Sequence, residues 1–141
     1  MTKVRFYTGS PDKLRTACRL SQEALQQGMR VLLHVPTDEL ADELDRLLWH
    51  YPATGFMPHC RCHEMDAATM PVVIGRSERF AHSQLLISLH DECPPFFSRF
   101  EQVIEIVGQH EADVRLGRER FRFYRDRGLE IQHIRLNQEH A

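Results

Sequence analysis

Two periods alternate along the apolar positions of the chain. Val4 to Thr8, VRFYT, is a short β-rich run closed by the turn cluster Gly9-Ser10-Pro11-Asp12. Leu14, Cys18, Leu20, Ala24 and Leu25 then recur at helical spacing, with N-cap oxygens on Ser10 and Asp12 and a stop at Gly28. Arg30 to Val35 is an apolar run of strand length, and Pro36-Thr37-Asp38 restarts a helix whose Leu40, Leu44, Leu47 and Leu48 face inward, with Trp49 at its end. Further on, Val72 to Gly75, Gln84 to Leu89 and Val103 to Val107 read as strands. Pro94 and Pro95 precede Phe96, Phe97 and Phe100, which predict a short helix packed on the sheet. Glu111 to Arg127 predicts one more helix, Gly128 stops it, and Ile131 to Leu136 alternates as a half-exposed final strand.

Strands alternating with helices, several of them continuous apolar runs, predict an α/β layered domain with a mostly parallel sheet. Residues 50–71 interrupt that order with three prolines and no sustained period, and predict a loop or a run of short pieces. Trp49 and Phe56 bracket a proline turn there, where aromatic side chains either fill the core or face a partner.

The last helix carries most of the charge information. Arg115, Arg118, Arg122 and Arg125 fall on one side of it, while Val114, Phe121 and Tyr124 line a neighbouring side. Arg120 and Arg127 add to the positive charge. A basic ridge beside an aromatic seam suits an acidic partner with an apolar or aromatic end, and the competing reading is a solvated amphipathic helix. The whole chain has a net charge of −2, so bulk attraction for nucleic acid is not expected although the local field can be positive. The 141 residues, 42% hydrophobic and 27% charged, predict one domain over 1–141. No apolar run reaches bilayer length, and four cysteines without a disulfide spacing predict a reducing, cytoplasmic setting.

Other chemistry is weakly signalled. The first strand-to-helix turn holds one glycine and an aspartate, which is neither phosphate-binding fingerprint. His59-Cys60-Arg61-Cys62-His63 has metal-type residues without zinc spacing, so no metal or cofactor is expected. His90-Asp91-Glu92-Cys93 follows an apolar strand, where α/β enzymes often place catalytic groups, and is more simply a turn.

Several blocks taken together carry a family resemblance. They are the opening V-R-F-Y strand, Gly28-Met29-Arg30-Val31, Leu47-Leu48-Trp49 with Pro52 and Phe56-Met57-Pro58-His59, Leu85 to Leu89, and Arg118 to Arg125 followed by Gly128. In these the chain resembles the chi subunit of bacterial DNA polymerase III holoenzyme. The resemblance implies a three-layer α/β/α, Rossmann-like fold without a nucleotide-binding loop, and a non-catalytic accessory role in the clamp-loader assembly during replication. It implies that Arg118, Phe121 and Arg122, with Val107 lining the pocket, bind the acidic C-terminal tail of single-stranded DNA-binding protein. It places the surface for the psi subunit on Trp49 and Phe56, with Pro58 and His59 nearby, and allows a repair-type helicase there instead. Phenylalanine at 121 and arginine at 122 stand where a tyrosine and a lysine can occur, and both keep ring and charge. The alternatives outside this family are a small α/β enzyme using His90, Cys93 or the His59–His63 cluster, and direct binding of single strands by the arginine ridge.

Overall fold

A computed structural model describes residues 2–50, 58–61, 64, 70–76 and 82–136. Among the described residues the strands are β1 (Lys3–Ser10), β2 (Val31–His34), β3 (His59–Arg61), β4 (Val72–Gly75), β5 (Leu85–Ser88), β6 (Gln102–Gly108) and β7 (Glu130–Arg135). The α-helices among the same residues are α1 (Lys13–Gln26), α2 (Asp38–His50) and α3 (Glu111–Asp126), and a 3-10 turn spans Phe97–Arg99. The strands form one sheet in the order β3-β4-β2-β5-β6-β1-β7. Every pairing in it is parallel.

The sequence places these elements well, with two differences. The sheet is parallel throughout rather than mostly so. Within 50–71 the described residues include a true strand, β3, whose ladder runs His59↔Val72 to Arg61↔Ile74. Three residues are too few to show a period, so only the neighbouring strand reveals it as one. Most of the remaining residues of 50–71, including Phe56, Cys62 and His63, lie outside the described residues.

Alternation along the strands sorts the core into two layers. Val31, Leu33, Ile74, Ile87, Ile104 and Ile106 face α1 and α2, meeting Ala17, Leu20, Leu44 and Leu48. Val4, Phe6, Leu32, Leu86, Val103 and Val107 face the other way, onto Tyr124 of α3 and onto Phe96 and Phe100 around the 3-10 turn. The fold is therefore three-layer α/β/α.

Local chemistry sets the helix ends. Asp12 caps α1 by accepting from the Arg15 amide at 3.3 Å, so its carboxylate occupies the helix N-terminus where a phosphate would otherwise sit. Thr37 Oγ1 accepts from the Leu40 amide at the start of α2. Gly128 adopts φ 75, a left-handed value that glycine takes without Cβ strain, and this reverses the chain from α3 into β7. The β6-α3-β7 unit steps over β1, so α3 packs on the face of the sheet, with its first half beside the carboxyl ends of β1, β6 and β7.

Candidate peptide-binding groove

At those carboxyl ends a groove of about 580 Å³ opens between α3 and the sheet. Val114, Gly117, Arg118 and Phe121 line it from α3, at the i, i+3, i+4, i+7 spacing of one helical stripe. Phe6 and Val107 rise from β1 and β6 to form its apolar floor. The Phe6 and Phe121 rings meet edge to face at 5.3 Å between centroids. Gly117 allows α3 to approach this closely, because a Cβ there would stand 2.7 Å from Val107 Cγ2.

Of the predicted tail-binding residues, Arg118, Phe121 and Val107 come together in the groove. Arg122 does not line it. At 3.6 residues per turn Arg122 lies about 40° from Arg118, away from Phe121, and is exposed on the solvent side of the rim.

The six arginines of the helix divide by environment. Arg120 belongs to the core, which corrects its assignment to the surface charge. Its Nε donates to Glu105 Oε1 at 2.9 Å, and its Nη1 donates to the Asp91 carbonyl at 3.0 Å. Tyr124 likewise leaves the exposed seam: it is fully buried, and its hydroxyl donates to Glu105 Oε2 at 2.7 Å. Arg125 pairs with Asp126, and Arg127 sits over the Phe123 ring at 3.5 Å. Arg115, Arg118 and Arg122 make no ion pair with any described residue.

Glu105 was not visible as special in the sequence. It sits mid-strand in VIEIV, and the signal that could have found it was a carboxylate at an inward position of a buried strand, which demands a buried donor. Burial pushes its carboxyl up to about 7, against the opposing pull of Arg120 and the Tyr124 hydroxyl. The three side chains tie α3 to β6 directly below the groove stripe.

The second predicted surface lies at the other edge of the sheet. Trp49, at the end of α2, is a large apolar side chain left 56% exposed. Pro58 is half-buried. His59 is buried beneath Trp49, with ring centroids 4.9 Å apart and its Nε2 2.7 Å from Asp45 Oδ1. Arg61 bridges Asp42 and Asp45, so α2 and β3 are braced by a charge network. Phe56 lies outside the described residues.

The remaining candidates separate. Cys60 is buried on the α3 side of the sheet, whereas His59 turns to Asp45. No group of three metal-ligating side chains occurs among the described residues. His90 stacks on His34 at 5.4 Å, not on Cys93. The Cys93 thiol faces the Arg120 carbonyl, and burial beside Glu105 pushes it up to about 11, the opposite of nucleophile activation. No helix among the described residues is long and apolar enough to cross a membrane.

Fold and groove define a three-layer, all-parallel α/β/α protein whose carboxyl-end crevice has an apolar floor and a cationic rim. The family described as DNA polymerase III chi subunit, HolC, matches residues 1–132, and the chain belongs to that family. It is 39% identical to DNA polymerase III subunit chi of Pseudomonas aeruginosa, over 96% of this chain and 98% of that protein. Its identity to the Escherichia coli protein of the same name is 31%, over 81% of this chain and 79% of that one. The Haemophilus influenzae chi subunit is 30% identical over 82% and 81%. This is a family of accessory rather than catalytic subunits of the polymerase.

Proposed function

We propose that this chi-family chain is an adaptor that takes the acidic C-terminal tail of single-stranded DNA-binding protein in the α3 groove and joins it, through Trp49, to the rest of the polymerase assembly. The observation that carries the reading is Arg118, which makes no ion pair with any described residue, at the rim of a slot floored by Phe6 and Val107 and walled by Phe121. A tail ending in proline-phenylalanine needs a pocket for its ring and a cation for its free carboxylate, and these side chains supply both. Arg122 stands one turn along, outside the slot, where it acts on the tail through its field.

Exposed ion pairs contribute little singly, so the isolated tail binds with micromolar affinity and several tails on one tetramer bind more tightly by avidity. The test is calorimetric titration of the chain with the last nine residues of the same organism's single-stranded DNA-binding protein, beside a peptide lacking the terminal phenylalanine. Only the complete peptide is expected to bind, and Arg118→Ala is expected to weaken it about tenfold or more with the fold unchanged. Equal binding of both peptides, or an unchanged Arg118→Ala, would remove the reading.

For the second surface, an exposed tryptophan held over a braced histidine is the kind of rigid aromatic anchor on which interfaces centre. The psi subunit of DNA polymerase III is the partner proposed there, and a repair helicase is the alternative. Pull-down with each purified candidate discriminates them.

A further inference from the structure

The groove has a second wall, on β7. As the edge strand beside β1, β7 runs in the register Val4↔Ile131, Phe6↔His133 and Thr8↔Arg135. Laterally paired residues of a parallel sheet share a face, so His133 and Arg135 stand on the α3 side with Phe6. Both line the groove, and both are exposed. His133 Nε2 lies 2.8 Å from Thr8 Oγ1, which holds its ring against the lip of β1. Arg135 makes no ion pair with any described residue. Among the arginines of α3, by contrast, only Arg118 reaches the groove.

We propose that the acidic residues of a bound tail leave the slot across β1 and onto β7, where Arg135 and His133 receive them, rather than along α3 toward Arg122. The inference rests on the tail-binding reading and adds the direction of the peptide. With the terminal ring over Val107 and the carboxylate on Arg118, the helix stripe closes one side of the slot, and the strand ends leave the other side open. Same-face residues two apart on a strand are separated by about 7 Å, which is also the spacing of alternate side chains in an extended peptide. Where the tail turns to run along β7, its alternate carboxylates can therefore meet His133 and Arg135 in turn, and Arg135 offers a fork to the second.

The experiment uses the full chain and two synthetic nonapeptides ending in proline-phenylalanine with a free carboxylate, one with aspartates upstream and one with asparagines in their place. Affinities are read by fluorescence anisotropy, and circular dichroism confirms folding of each variant. Arg135→Glu is expected to weaken the aspartate peptide about tenfold while changing the asparagine peptide less than about twofold, and Arg135→Lys to keep most of the affinity. Arg122→Glu is expected to have the smaller effect on the aspartate peptide. Loss of that peptide in Arg122→Glu with Arg135→Glu at wild-type affinity would put the exit along α3 and overturn the inference while leaving the tail-binding reading intact. Failure of both peptides to bind the wild-type chain would remove that reading and the inference together.

Discussion

Glu105 is the residue on which the orientation of α3 depends. Its carboxylate is wholly buried and answers two donors from the helix, Arg120 Nε and the Tyr124 hydroxyl, which lie four residues apart on one helical face. Replacing it by glutamine puts an amide nitrogen where one of those two donors finds an acceptor, and a buried donor left unsatisfied costs about 1–3 kcal/mol. The pH dependence has a definite sign. Because the folded-state value, about 7, lies above the ordinary 4.5, the native state binds the extra proton between those limits, and the contribution of Glu105 to stability falls as pH rises through them. Urea unfolding of wild type and Glu105→Gln between pH 4.5 and 7 should therefore show the gap between the two narrowing as pH rises. A gap that widens would mean that the carboxylate is stabilised as an anion. Which donors answer it could not be read from VIEIV, where the glutamate looks like the polar half of an alternation. Its partners lie 15 and 19 residues away on another element.

At the scale of elements, α3 serves two faces whose separation was half legible. The 3.6-residue period correctly placed Phe121 and Arg118 side by side, with Val114 one turn before Arg118 and two before Phe121. What the period could not tell was which flank meets the sheet. Packing turned Arg120 and Tyr124 inward and left Arg122 outside the slot, because the helix is held by Glu105 and by the close approach at Gly117. Alanine normally favours a helix over glycine by about 1 kcal/mol. At position 117, however, the added Cβ would meet Val107 Cγ2 at 2.7 Å and Cγ1 at 3.1 Å. Gly117→Ala is therefore expected to destabilise the chain by about 1–3 kcal/mol and to weaken tail binding by driving Val107 into the slot. Val107→Ala in the same chain should relieve the clash and recover part of the stability. Thermal unfolding and peptide titration of the single and double variants measure both effects.

Across the whole molecule, the groove and Trp49 mark opposite ends of the sheet. Trp49 contacts β3 at one edge, and the groove reaches β7 at the other. Six strand spacings of about 4.8 Å separate those edges by roughly 29 Å. Sites that far apart with no shared side chain contribute independently. If the proposed assignments hold, Trp49→Ala is expected to abolish psi-subunit capture while leaving the tail peptide's affinity within about twofold, as pull-down and calorimetry on one preparation can show. A shared loss of both partners would indicate coupling through the sheet.

The alternation of apolar runs and amphipathic stretches was enough to establish the α/β class, the three helices and six of the seven strands, because burial on one face imposes a period that composition reveals. The sequence blocks taken together, most specifically those around Trp49 and Arg118, pointed to the family before the structure. Strand order, the recognition of β3, the burial of Arg120 and Tyr124, and the joining of His133 and Arg135 to a groove floored by Phe6 and Val107 were decided by tertiary structure alone. Each depends on which residues, far apart in sequence, share a sheet face, and a period within one element carries no information about the neighbour it will pack against.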